Sequence, residues 1–369
     1  MHWLGQDFCV ILLNIVLTMR IISRIAWFRF ALPLVLMTVL FSACVRNDDE
    51  PLIPRAPISR LYVSLFEFQT DETADPYSNL AVLDPADAEV MSGSIFNSGV
   101  QEGSGVFFSP EAGRLFQGSV LNQTIVLMSV TDVGIPQQSG RISHEDLTAI
   151  RGLHYDHEHR NLFVANNWTP SGVYVFDNPM NRNGEVEPLR YFPLGGVRPW
   201  GITMWDNQLL VVRTGAQGGV NLYKNVSSQL AGTEDMAPDA RLTVSGASSL
   251  RGVAYSTRLD LMVLTDFEQA SVFVFEHASE LFKQPEATIE PTRIIAGPAT
   301  GLMGPTDVSI DDREGSERIY VADKRSKSVL RFDLTASGNA AYEAQTVFPL
   351  SPESIFLDAQ GLVGEGVQE

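Results

Sequence analysis

Arg151, Arg198 and Arg251 stand about fifty residues apart, each just ahead of a short apolar run, while Arg213 and Lys324 close two other such runs. If the fold brings these five cations together, their planar guanidinium forks and ammonium suit a carboxylate or a phosphate. The competing reading is structural, with each arginine paired to a carboxylate such as Asp266, Asp307 or Asp323 in a neighbouring unit. His154, His157 and His159 are the one histidine cluster and are of the right type for zinc or copper. Side chains alternate along a strand and a turn intervenes, so His154 is separated from the other two and a solvated turn is expected. Nucleophilic catalysis finds no support, because there is no GxSxG elbow and the only cysteines are Cys9 and Cys44. No glycine-rich loop opens a helix to cradle a phosphate.

The elements that must position these side chains are legible as a repeat. A short apolar strand, a turn, a second apolar strand and a third recur through the chain. The apolar residues opening the first strands are Val106, Leu153, Ile202, Val253, Val308 and Ile355, separated by 47, 49, 51, 55 and 47 positions. Second strands begin at Leu61, Leu115, Leu162, Leu209, Leu261 and Ile319. β-Branched and aromatic residues dominate these runs, and Gly, Asn, Asp, Ser and Pro bound them. A unit of this size cannot bury both faces alone, and a β-only period near fifty matches propeller blades. The expected fold is all-β: a six-bladed β-propeller of four-stranded antiparallel blades. The domain opens on a second strand near Arg60 and ends on a first strand, Ser354 to Asp358, so the C-terminal strand is expected to complete the first blade and close the ring. Closure of this kind removes open sheet edges. Arg151, Arg198, Arg213, Arg251 and Lys324 then fall on loops around one mouth of the channel.

Residues 1–44 read as a targeting region. Arg20, Arg24 and Arg29 precede an apolar run that ends in small residues at Cys44, as in a secretory signal. The run from Phe41 to Cys44 resembles a bacterial lipobox, which makes Cys44 the lipidated first residue of the mature chain. Met19 is an alternative start. Residues 45–58, polar and proline-rich, are expected to be a flexible tether, and 59–369 the propeller. An acidic run after Cys44 resembles the surface-export signal of Bacteroidetes lipoproteins. The expected location is the bacterial envelope, lipid-anchored and periplasmic or cell-surface. Beyond residue 44 the chain carries 23 basic against 43 acidic residues, which excludes nucleic acid as a partner. A monomer is expected.

The runs at 304–311 (GPTDVSID) and 319–333 (IYVADKRSKSVLRFD) resemble NHL-repeat propellers. That resemblance covers residues 60 to 358 and implies a binding scaffold or, by analogy with related six-bladed groups, a lactonase or lyase. The enzymatic alternative requires calcium in the channel. Asn166, Asn167, Asp266, Asp307 and Asp323 are oxygen donors of the right type for it, although Asp and Asn here are also ordinary turn formers. The reading preferred from sequence is a non-enzymatic, cofactor-free propeller that binds a small anionic ligand or an envelope protein. The alternative is a calcium-dependent hydrolase.

Overall fold

In a computed structural model, the apolar runs form six antiparallel sheets whose inner strands line a common channel. The structure describes residues 57–67, 78–215, 217–227 and 236–361, all within one compact unit spanning Ala56–Val363. Cys9, Met19, Cys44 and most of the expected tether lie outside the described residues. Among the described residues no helix is long and apolar enough to cross a membrane.

Blade one is built from Pro352–Gln360, Ile58–Leu65, Leu80–Leu83 and Gly93–Phe96, from the channel outward. Its innermost strand is thus the C-terminal one, which pairs with the N-terminal strand from Ile58 opposite Gln360 to Val63 opposite Ile355. Strand pairing begins at Ile58, one residue inside the expected tether. Blade two comprises Gly103–Ser109, Arg114–Ser119, Thr124–Val130 and Pro136–Ser143. Blade three comprises Ile150–Asp156, Asn161–Asn166, Gly172–Asp177 and Arg190–Pro193. Blade four runs through Pro199–Trp205, Gln208–Arg213, Gly219–Lys224 and Ala240–Val244. Blade five runs through Leu250–Ser256, Leu261–Asp266, Ser271–Glu276 and Arg293–Ala296. Blade six is Pro305–Asp311, Arg318–Asp323, Ser328–Asp333 and Ala344–Val347.

Two blades exceed the expected four strands. Gly184–Glu185, from blade three, adds in parallel to the outer strand of blade two, and Glu286–Ile289, from blade five, does the same to blade four. These clasps cover edges that would otherwise present unpaired backbone groups.

The second strands are apolar without alternation because both of their faces are buried. In blade five, Met262 and Leu264 pack into the interface with blade four, while Leu261 and Val263 pack into the interface with blade six. Six buried clusters form among the described residues, one at each blade interface, including the closing interface between blades six and one. The core is therefore distributed around the ring, and each blade depends on both neighbours.

Each of the six inner strands carries a β-bulge near its start. A bulge re-aims side chains, and here it sits two residues before the apolar reference position of each repeat. The following position is glycine in blades two to five. At Gly252 a Cβ would lie 2.5 Å from the Asp307 Cα, and at Gly201 it would lie 2.6 Å from the Arg251 carbonyl oxygen, so glycine is what allows neighbouring inner strands to approach this closely. Blades six and one carry Asp307 and Ser354 at that position. Ser354 Oγ and Ile355 N donate to Asp307 Oδ2 at 2.6 and 3.0 Å, and Val106 N donates to Ser354 Oγ at 3.1 Å.

Candidate anion site at the channel mouth

The bulge position contributes Ser104, Arg151, Trp200, Arg251, Thr306 and Glu353, one residue per blade, to the mouth where the inner strands begin. Arg151 and Arg251, from the blades flanking blade four, both lie over the Trp200 ring, at 4.5 and 4.4 Å from its centre. Arg251 also lies 3.3 Å over Phe267, and Arg325 lies 4.2 Å over the same ring. Arginine and aromatic side chains thus alternate across blades three to six. Such stacking is favourable when desolvated, by about 2 kcal/mol.

Carboxylates neutralise only part of this charge. Glu353, brought in by the closing strand, receives Arg151 Nη1 at 2.9 Å and Lys324 Nζ at 2.7 Å, with its own side chain only 2% exposed. Glu268 holds Arg325 with two contacts of 3.0 Å. Arg251 has no ion pair among the described residues, and its Nε is buried without a hydrogen-bond acceptor. Burial, and then the charges of Arg151 and Arg325, push its guanidinium down to about 10, with Glu353 and Glu268 pulling the other way. Buried polar groups are ordinarily satisfied. Among the described residues the Arg251 guanidinium makes neither a hydrogen bond nor an ion pair, and its Nε shares the lack of an acceptor with those of Arg151, Arg190, Arg213 and Arg331.

The remaining residues expected at this mouth divide. Arg198 precedes the inner strand of blade four and lies exposed on the rim, 4.9 Å over the Trp168 ring. Arg213 is a correction: its guanidinium is turned into its own blade, donating to the carbonyls of Gln217 and Leu242 and to Thr243 Oγ1. No arginine of the mouth pairs with Asp266, Asp307 or Asp323 among the described residues. The partner of Arg151 is Glu353 instead.

The proposed calcium donors are engaged by the backbone. Asn166 Oδ1 accepts from Ala149 N at 2.7 Å, and its Nδ2 donates to three carbonyls. Asn167 donates to the Pro199 carbonyl. Asp266 accepts from the amides of Ser248, Ser249 and Gln269 and from Ser248 Oγ. Asp323 accepts from the amides of Met303, Gly304 and Ser326. Asn166, Asp266 and Asp323 occupy equivalent positions at the ends of second strands, where each ties down the segment leading into its own inner strand. Arg213 fills the same position in blade four, which is why it serves the blade. Donors directed at amides in separate blades do not form a calcium shell, and no group of three potential metal ligands occurs among the described residues.

Asp307 is part-buried and lines the channel cavity. Burial raises its carboxyl to about 6, with the Glu353 charge adding to the rise and hydrogen bonds from Ser354, Ile355 and Val308 opposing it. The histidine cluster does not assemble. His154 is not on the turn as expected: it lies in the inner strand of blade three, lines the channel and stacks 4.5 Å from Phe107. Burial pushes it down to about 4. His159 instead contacts Asp156 at 2.8 Å on the turn.

Below the mouth is a cavity of about 190 Å³. One residue past the apolar reference position, its wall carries Phe356, Phe107 and His154 from blades one to three, and Thr203, Ala254 and Ser309 from blades four to six. At this level blades one to three supply rings, and blades four to six supply small side chains, two of which, Thr203 and Ser309, bear hydroxyls.

The architecture is that of a six-bladed β-propeller with a basic mouth on its channel. No family model matches the chain, and no curated protein matches its sequence. Solved structures share the fold. A chain from a nidogen/laminin complex superposes with a TM-score of 0.57 at 15% identity, covering 81% of this chain and 98% of its own. The periplasmic gluconolactonase of Pseudomonas aeruginosa gives 0.54 at 14% identity, covering 82% of this chain and 100% of its own. At such identities the likeness concerns the fold alone.

Sequence reasoning missed Trp200 as part of the mouth. Aligning the repeats two residues before their apolar reference would have placed Trp200 in one column with Arg151, Arg251 and Glu353.

Proposed function

We propose that this chain is a lipid-anchored propeller of the bacterial envelope, of NHL-like type, that binds a small anion at the basic mouth of its channel. The observation carrying this reading is Arg251, a guanidinium stacked on Trp200 and Phe267 yet left without an acceptor among the described residues. A cationic mouth on so acidic a chain focuses potential on that point and draws anions to it. Attachment through Cys44 rests on the lipobox-like run ahead of an acidic, proline-rich segment. Against the calcium-dependent hydrolase stands the commitment of Asn166, Asp266 and Asp323 to backbone amides.

The test is calorimetry and thermal unfolding of the mature chain with acetate and with phosphate, compared with Arg251→Met. Binding that disappears in the variant while folding persists supports the reading, and binding indifferent to Arg251 refutes it. Fractionation of wild type and Cys44→Ser tests the anchor, since only the variant should be released into the soluble fraction.

A further inference from the structure

At the end of the channel away from the mouth, the inner hairpins of blades two, three and four border a second cavity, of about 610 Å³, within the roughly 300–1,000 Å³ range of small-molecule sites. We propose that this cavity, independently of the mouth, binds a small organic ammonium ion with an aromatic body. Charge sets the head group. The hairpin turns bring Glu111, Asp156, Glu158 and Asp206 to the wall, and no lysine or arginine lines it among the described residues. Arg114 and Arg160, which end two of these turns, stay outside the lining. Asp156 is engaged by Ser227 and His159, and Glu111 accepts from Ser109. Glu158 and Asp206, exposed on the turns of adjacent blades, make no hydrogen bond or ion pair among the described residues. His154 also lines the cavity, and burial keeps it uncharged at neutral pH.

The rings of the wall set the body. Trp205 and Phe356 line the cavity and are only part-buried. Each is fixed by a neighbouring ring, Trp205 stacking on Tyr255 at 4.0 Å and Phe356 meeting Phe107 edge-on at 4.6 Å. Tyr155, also in the wall, stacks on Phe116 at 5.2 Å. Rings held in this way are pre-organised, so little side-chain freedom is lost when a ligand binds. Aromatic faces and carboxylates both attract a cation, and an ammonium group on an aromatic body uses the two together. An anion would be repelled, and a neutral ligand would leave Glu158 and Asp206 without a partner. A bare metal ion is the other cation to consider. No three His, Cys, Asp or Glu side chains are placed to hold one among the described residues, and carboxylates spread over three blades suit a larger ion.

The test is calorimetric titration of the mature chain at low salt with three probes: phenethylammonium, its neutral isostere 2-phenylethanol, and methylammonium. Phenethylammonium should bind about tenfold more tightly than either of the others. In the double variant Glu158→Gln, Asp206→Asn its affinity should fall about tenfold, with 2-phenylethanol unaffected. Asparagine suits position 206, where the backbone φ is 45°. Arg251→Met should leave phenethylammonium binding as it is in wild type, which separates this cavity from the anion mouth. Binding of 2-phenylethanol as tightly as phenethylammonium overturns the cationic head group, and equally tight methylammonium overturns the aromatic body. Absence of phenethylammonium binding, or binding indifferent to the double variant, overturns the site. The wild-type series decides the matter even if the double variant misfolds.

Discussion

The guanidinium carbon of Arg251 lies 3.3 Å from the centre of the Phe267 ring, and the same group is 4.4 Å from the centre of Trp200. Stacking recovers part of what burial costs a cation, and burial is the largest cause of the depressed pKa of Arg251. A group kept at a net cost is a candidate for function. Arg251→Met should therefore weaken anion binding at least tenfold while leaving the melting temperature unchanged or raised by a few degrees. Arg151→Met should behave differently, because it strips Glu353 of one of its two partners and leaves a buried carboxylate short of a cation. A loss of roughly 1–3 kcal/mol is expected there, read from the denaturant midpoint. If Arg251→Met unfolds the protein and Arg151→Met does not, the assignment of roles is wrong.

Asp266 receives three amides and a hydroxyl and is completely buried. Truncation to alanine orphans those donors, so Asp266→Ala should cost about 3 kcal/mol or more in denaturant unfolding. With Asn166, Asp266 and Asp323 occupied in this way, millimolar calcium should leave the melting temperature where it was. A specific calcium site would raise it by mass action, and such a rise would reinstate the hydrolase reading.

The fold was legible because its signal repeats: each residue read as opening a first strand, from Val106 to Ile355, lies in an inner strand. The placement of Arg151, Arg251 and Lys324 at one mouth followed from that register. Arg213 misled because the end of a second strand is equivalent in backbone but not in use, its side chain pointing along the blade in blade four. His154 misled because the inner strand runs on to Asp156, so the turn begins three residues beyond it. The clasps at Gly184–Glu185 and Glu286–Ile289 left no trace in the period, since they arise from the paths of connections between strands and not from the repeat.

Two part-buried groups lining the channel should oppose each other with pH. Asp307, raised to about 6 from 3.8, binds a proton in the native state where the unfolded chain does not, so its contribution falls as pH rises from about 4 to 6. His154, lowered to about 4 from 6.5, binds a proton more readily when unfolded, so its contribution rises with pH from about 4 to 6.5. Each effect is on the order of 3 kcal/mol, and in the wild type they offset. Asp307→Asn should therefore expose a loss of stability on acidification, and His154→Leu a loss as pH is raised. Urea midpoints at pH 4.5 and 6.5 check both, and parallel shifts in the two variants would refute the pairing.

The closing strand joins stability to the site. Pro352–Gln360 supplies the inner strand of blade one, the hydrogen bonds linking Asp307, Ser354 and Val106 across two interfaces, and Glu353 at the mouth. Removing it exposes the edge of Ile58–Leu65 and leaves the apolar surfaces of blades two and six without their partner. A chain ending at Pro349 should be insoluble or rapidly proteolysed, because an open edge beside uncovered apolar surface favours association. A subtler variant separates the two roles. Glu353→Gln retains the strand but removes the charge that engages Arg151 and Lys324, so it should fold, lose roughly 1–3 kcal/mol and bind phosphate more tightly than wild type. A soluble, protease-resistant truncate would show that the ring closes without its last strand. A Glu353→Gln protein with unaltered phosphate affinity would show that this carboxylate does not set the charge of the mouth.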